Sequence, residues 1–289
     1  MAKKFINSVI LLLIAMTSFG QVKVVKKVAL SEQIRETSGL VYYQNKYLIT
    51  HNDGGNKNDI FILNLKGEII KKIEVLNAKN KDWEDLTQDD EGRLYIGDFG
   101  NNLNKREKCQ IYILPNGFVD KKKVKAEKIT FWYEDQKDFP PKKKEMNYDC
   151  EAFFWKDNKL YLLTKCRTKP YTGISKIYVI PAVPGKHKAK YLGKIKLCGA
   201  SWRFCSITSA DYNLKTNTLA ILTYSKLYIV ENLGDTKFWN RKYKVFSLPA
   251  LKQREAICFK NKNTLYMSDE KKKGLGGGNL YELKIKKRK

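Results

Sequence analysis

Five stretches of this chain follow one grammar, and a repeat of that kind constrains the architecture more than any single residue does. Each has a short apolar strand, a polar turn, a second strand rich in Leu and Tyr, and a third of the form Ile/Leu-Tyr-x-hydrophobic. The first reads ETSGLVYYQNKYLITHND, then DIFILNLKGEIIKKIEV; the second reads WEDLTQDDEGRLYIGDFGNN, then QIYILPNG and KITFWY. The third is CEAFFWKDNKLYLLTKC with KIYVIPAV and KYLGKIK, and the fourth TSADYNLKTNTLAILTYS with KLYIVENL and YKVFSLP. The last, REAICFKNKNTLYMSDE with NLYELKI, lacks a fourth strand. β-Branched and aromatic residues alternate between Asn, Asp, Gly and Lys turns, which predicts strands throughout, and no segment keeps a helical period.

Four strands per unit, repeated about an axis, is the β-propeller pattern. The expected fold is all-β, a single propeller domain over residues 21–289 with five four-stranded blades. The early strand QVKVVKKVAL would supply the outer strand that the last unit lacks and close the ring, leaving few exposed edges. Five units over about 270 residues give about fifty each, near known blade spacings. A sixth blade would have to lie in residues 120–147, whose Lys and Pro content reads instead as an insertion.

Residues 1–20 combine Lys3 and Lys4, an apolar run over 9–16, and the small Ser18 and Gly20. That is a secretory signal peptide, with cleavage expected near Gly20-Gln21. The run is too short to span a bilayer comfortably, and no later stretch is long and uncharged enough to do so. A soluble, monomeric, secreted or periplasmic protein is expected.

A formal charge of +26 invites a nucleic-acid reading. Against it, the excess is nearly all Lys and sits in turn-like runs such as Lys121-Lys122-Lys123, Lys142-Lys143-Lys144 and Lys271-Lys272-Lys273. Charged hairpin tips and strand edges that resist edge pairing explain such runs, and export removes most nucleic-acid partners. Six Cys in an exported chain permit disulfides. Cys150 and Cys166, symmetric about Asn158, are expected to bridge across a hairpin; Cys198 and Cys205 could close a short loop, and Cys109 and Cys258 would stay reduced. Zinc is disfavoured, because there is no CxxC and His51 and His187 are the only histidines.

Residues equidistant from a hairpin turn lie opposite each other. That rule sets Glu36 against Asp53, Glu84 against Asp98, and Glu255 against Asp269, each pair on the rim away from its turn. Glu151, Asp211 and Asp85 should join them, with Asn52, Asn101 and Asn102 adding amide oxygens. The expected metal set is therefore Glu36, Asp53, Glu84, Asp98, Glu151, Asp211, Glu255 and Asp269. Crowded carboxylates need a metal, a cationic ligand, Lys or Arg, or raised pKa values; oxygen donors suit Ca2+ or Mg2+. The competing structural reading has the same acids as turn caps or as partners of Arg35, Arg203 and Arg254. Gly54-Gly55 and residues 97–102 read as loops needing positive φ, and Trp83, Trp155 and Trp202 as core or rim aromatics. His51 lies beside Asp53 as a candidate base, but no Gly-x-Ser-x-Gly elbow accompanies it.

The run ETSGL, HNDGG, DWEDL, GDFGNN, CEAFF and REAICF resembles a widespread group of secreted bacterial β-propeller proteins, mostly of uncharacterised function, over nearly the whole mature chain. These are similar in turn, at fold level, to lactonase- and gluconolactonase-like and to phytase-like propellers. The resemblance implies a central divalent-metal site of Glu, Asn and Asp, and it carries no catalytic residue over. Two functions follow. One is a metal-dependent hydrolase of an ester, lactone or phosphoester, relying on Glu84, Asp98, Glu151 and Glu255. The other is a non-catalytic module capturing a small molecule, a glycan or an envelope protein.

Overall fold

A computed structural model describes residues 19–234 and 237–286. The expected leader lies outside that range except for Phe19 and Gly20. The predicted runs fold as antiparallel meanders whose short turns follow from local chemistry. Gln44-Asn45 and Asp157-Asn158 take positive φ at both positions, 51° and 54°, and 50° and 56°. Asp157-Asn158 is a two-residue hairpin turn between the paired Lys156 and Lys159, matching strand twist, whereas Lys46 adds a third residue before the Tyr43–Tyr47 pair.

The first unit is β2 (Thr37–Tyr43), β3 (Tyr47–Asn52), β4 (Asp59–Leu63) and β5 (Ile69–Val75). Unit two is β6 (Trp83–Gln88), β7 (Leu94–Asp98), β8 (Cys109–Leu114) and β10 (Glu127–Tyr133), with the short β9 (Lys123–Val124) lying parallel to β5. The third comprises β11 (Asp149–Lys156), β12 (Lys159–Lys165), β13 (Ile174–Pro181) and β14 (Gly185–Lys196). Unit four comprises β15 (Ile207–Asn213), β16 (Thr218–Thr223), β17 (Lys226–Val230) and β18 (Lys244–Ser247). The fifth has β19 (Arg254–Asn261), β20 (Thr264–Asp269) and β21 (Asn279–Lys286), and its fourth strand is β1 (Phe19–Ala29), antiparallel to β21. Outer strands of neighbouring units also pair in parallel, β10 with β14 and β1 with β18. Residues 120–147, the place reserved for a sixth blade, instead supply β9 and β10.

The inner strands pack in sequence, β2 on β6, β6 on β11, β11 on β15, β15 on β19, and β19 on β2. Five separate apolar clusters fill the spaces between neighbouring units. Tyr43, Ile49, Trp83 and Leu94 belong to the cluster between units one and two, and Leu40, Leu48, Cys258 and Tyr266 to the one between units one and five. An inner strand has no sheet neighbour on its axial side, so its buried N–H groups there need other acceptors. Side chains of neighbouring inner strands supply them: Thr87 accepts from Trp155 N–H (3.2 Å), Ser209 from Ile257 N–H (3.2 Å) and Asp211 from Phe259 N–H (2.7 Å). Asp85, fully buried, accepts from Phe153 and Ala210 N–H (3.3 and 3.2 Å) and from Ser209 Oγ (3.0 Å). It knits three units together instead of joining the rim acids.

The single disulfide among the described residues is Cys198–Cys205. Cys150 and Cys166 are not bridged. The register explains why: Cys150 faces Thr164, and Cys166 lies beyond the strand end, where its sulfur meets Thr168 and Thr172 at 3.1 and 3.2 Å.

Candidate functional site

A β-bulge interrupts the start of every inner strand. The register slips between Trp83 and Leu86, Cys150 and Ala152, and Arg254 and Ala256, and likewise in β2 and β15. The extra residues include Glu84, Glu151 and Glu255. A bulge re-aims a side chain out of the alternating pattern, and here it sends three glutamates from three units to one mouth of the axis.

Two overlapping triads result. Carboxylate oxygens of Asp53, Asp82 and Glu84 lie within 4.8 Å of one another, as do those of Glu84, Asp149 and Glu151. The second triad carries its own cations. Lys165 reaches Glu151 at 3.0 Å, while Arg167 reaches Asp149 at 2.5 Å and Glu151 at 3.0 Å. Among the described residues, no Lys or Arg pairs with any member of the first triad. Burial, then the surrounding acids, pushes Glu84 well above the ordinary carboxylate range. Burial likewise raises Asp53 and Asp82 to about 6, and Asp149 to about 6. Glu255 is pushed up to about 8 by burial, opposed by Lys165. Glu270 is buried beside it and pairs with Lys272 at 3.0 Å.

Two glycines make room for the first triad. A Cβ on Gly100 would stand 2.2 Å from Glu84 Oε1 and 2.4 Å from Asp82 Oδ2; one on Gly54 would stand 2.4 Å from Asp82 Oδ1. The positive φ expected of these loops is found at Gly55 (φ 81°), whereas at Gly54 and Gly100 the constraint is space.

Of the eight expected site residues, the fold brings together Asp53, Glu84, Glu151 and Glu255. Glu36 stands at the edge, opposite Asp53 as the turn rule requires, held by Arg35 (3.2 Å) and Asn56 (2.7 Å), which lower its pKa, Asn56 foremost. Asp98 faces Trp83 and not Glu84; it accepts from Asp82 N–H (3.1 Å) and Arg106 (3.2 Å). Asp269 faces Arg254 and not Glu255, and is occupied by Tyr281 Oη (2.6 Å) and Asn279 N–H (2.8 Å). Asp211 lies towards the hairpin tips, lining a cavity of about 740 Å3 with Gln44, Glu91 and Lys215. Asn101 and Asn102 are engaged by Tyr148 O and Arg167 respectively, while Asn52 Oδ1 is buried without a donor. His51 is fully buried, edge-on to Trp83 at 5.4 Å, and burial holds it near 4. Arg254 spends its guanidinium on backbone carbonyls of Tyr224, Pro249 and Ala250, and Arg203 lies over Trp202.

No family model and no curated protein matches the sequence. Among solved structures, the chain is similar to the PQQ-bound aldose sugar dehydrogenase of Streptomyces coelicolor, with a TM-score of 0.53 and 10% identity over 92% of this chain and 98% of that one. The fold is propeller-like. A gluconolactonase from Xanthomonas campestris (TM-score 0.45, 11% identity, 86% of this chain and 72% of that one) and a streptogramin B lyase (0.45, 11%, 92% and 98%) are looser matches. At such identities the likeness concerns the fold alone.

Asp82, Asp149, Lys165, Arg167 and Glu270 are the mouth residues that the sequence reading missed. A signal was present. Asp82-x-Glu84 and Asp149-x-Glu151 repeat one acidic spacing in consecutive units.

Proposed function

We propose that the chain is an exported, closed five-bladed β-propeller whose acidic mouth binds Ca2+ through Asp53, Asp82 and Glu84 and hydrolyses an ester, lactone or phosphoester. One observation carries this reading: in a chain of net charge +26, three carboxylates crowd within 4.8 Å and, among the described residues, no Lys or Arg forms an ion pair with them. Oxygens 2.3–2.6 Å from a shared Ca2+ are separated by at most about 5 Å, so three oxygens within 4.8 Å of one another fit such a shell. Gly54 and Gly100 supply the space such a shell needs. Export is supported by the leader-like residues 1–20 and by the disulfide.

When bound, the cation would polarise a carbonyl or phosphoryl oxygen and lower the pKa of a water. The chain's own contribution is positioning and proton handling. Lys165 and Arg167 neutralise Glu151 and Asp149, which leaves the first triad as the cation-seeking half. Glu255, held at about 8 and accepting no hydrogen bond among the described residues, would hold or release a proton near neutral pH, the property a general acid or base requires.

The alternative is ligand capture without turnover, favoured by the same two ion pairs, because they leave fewer carboxylates free for chemistry. Calorimetric titration of chelator-treated protein with CaCl2, followed by a screen of p-nitrophenyl esters, lactones and phosphoesters, separates the readings. One calcium site, lost in Asp82→Asn, and calcium-dependent hydrolysis are expected. Calcium binding without hydrolysis selects the capture module, and no calcium binding rejects the metal-dependent hydrolase.

A further inference from the structure

We infer that the groove beside the acidic mouth, floored by Trp202, Leu251 and Leu275, is a subsite for the apolar acyl portion of the substrate. This rests on the hydrolase reading for the identity of the reacting group, but the groove's binding property can be tested without it.

The groove encloses about 330 Å3 and is lined by Trp202, Tyr224, Leu251 and Leu275 with Arg203, Lys252 and Gln253. That volume falls at the lower end of small-molecule sites. Trp202 is 53% exposed, Leu275 46%, Leu251 36%, and the adjacent Phe204 44%. Most of the large apolar side chains among the described residues are buried in the five inter-unit clusters, so Trp202, Leu251 and Leu275 exposed on one groove form a patch of the kind that marks a binding surface.

The patch is also held in shape. Trp202 and Phe204 ride on the one-turn α1 (Trp202–Cys205), and the Cys198–Cys205 bridge closes the loop that carries them. Cys205 N–H to Ser201 O (2.9 Å) and Ser225 Oγ to Phe204 O (2.8 Å) fix the turn further. The one staple among the described residues therefore clamps solvent-facing aromatics and not the core, and a preformed aromatic surface saves the ordering cost of binding.

Position gives the groove its role. Tyr224, in its wall, accepts a hydrogen bond from Lys165 (3.1 Å), the same ammonium that holds Glu151. Gln253, also in its wall, donates to Glu270. Two lining residues thus touch two residues of the mouth, so a ligand whose reacting carbonyl sits at the acids would lay its acyl chain or ring on Trp202. Arg203 and Lys252 set positive charge at the groove edge, which favours an apolar group with an anionic end as a binding probe.

The test uses two readouts on the calcium-loaded protein. In the first, kcat/KM is compared for p-nitrophenyl octanoate and p-nitrophenyl acetate. We expect Trp202→Ala to lose about tenfold or more on the octanoyl ester and little on the acetyl ester, with Leu275→Gln acting in the same direction. The second is direct binding of 8-anilinonaphthalene-1-sulfonate followed by its fluorescence, expected to weaken about tenfold in Trp202→Ala and to fall when Cys198→Ser opens the loop. If neither ester is turned over but Trp202→Ala still loses the dye, the hydrolase reading falls and the groove stands. If esters are hydrolysed with no octanoyl preference, or Trp202→Ala leaves both preference and dye affinity intact, the groove assignment is overturned and the hydrolase reading is untouched. Trp202 contributes little to the core, so an unchanged melting temperature checks that each loss is local.

Discussion

Replacing Glu84 by Gln removes a charge that its surroundings oppose, and the direction of the result separates a cation site from an ordinary salt-bridged rim. Glu84 is buried, its carboxylate accepts no hydrogen bond among the described residues, and it has Glu151, Asp53, Asp82 and Asp149 as its electrostatic neighbours. With its pKa raised far above 4.5, the folded state at pH 7 either pays to ionise it or takes up a proton. The cost is capped by the roughly 2.5 pH units between 4.5 and 7, about 3 kcal/mol. Glu84→Gln should recover up to that amount without calcium, raising Tm by up to about 6–12 °C for a chain of this size. Wild-type protein should instead gain about 2.7 kcal/mol from calcium at a hundredfold excess over Kd, a rise of about 5–10 °C, and the variant should lose that response. Thermal melts with EDTA and with CaCl2 give all four values. A variant that melts lower than wild type in EDTA, or that keeps the full calcium shift, refutes the reasoning.

Gly100→Ala puts a methyl 2.2 Å from Glu84 Oε1 and should abolish the calcium-induced shift while far-UV circular dichroism stays native. Lys165→Met leaves Glu151 buried beside other acids but still paired with Arg167, and should cost about 1–3 kcal/mol in urea unfolding; adding Glu151→Gln should restore most of it. Calcium-free stability should fall as pH rises from 6.5 to 8. Glu255, raised from 4.5 to about 8, is already ionised in the unfolded chain across that window but still protonated in the folded one, so the loss is about 2 kcal/mol. His51, depressed to about 4, is neutral in the folded chain throughout and costs stability only below about 6.5. A flat urea midpoint between pH 6.5 and 8 would count against the Glu255 assignment.

The fold was more legible in the sequence than the site. The Ile/Leu-Tyr-x-hydrophobic strands, the Gln44-Asn45 turn and the pairing of QVKVVKKVAL with NLYELKI all follow from alternation and spacing, and the observed registers agree. What equidistance from a turn does not reveal is a bulge. It predicts Glu84 opposite Asp98 and Glu255 opposite Asp269, and one extra residue in each inner strand moves Trp83 and Arg254 into those places. Cys150 and Cys166 miss each other twice over: the turn centres between Asp157 and Asn158, which would set Cys150 against Lys165, and the slip moves it on to Thr164. In the first unit Tyr43 faces Tyr47 across three residues, and the slip between Ser38 and Val41 offsets that odd residue, so Glu36 and Asp53 meet as expected. The bulge both spoiled the predicted pairs and made the mouth, because it turns Glu84, Glu151 and Glu255 inward. Asp211 and Asp85 were misread for a different reason. Alternation places them on the axial face but does not tell how far along the axis they lie, nor that the N–H groups of the neighbouring inner strand would claim them.

The pairing of β1 with β21 has a consequence in time. Val22 lies against Ile285, about 260 positions later, so at roughly 5–20 residues per second the first strand made waits on the order of 13–50 s for its partner to leave the ribosome. Throughout that interval the chain carries an unmatched strand, and once β21 emerges, another molecule's first strand offers it the same hydrogen bonds as its own. At high synthesis rates the chain's characteristic accident is therefore an exchanged terminal strand between two copies, each sheet complete and the two molecules tied together.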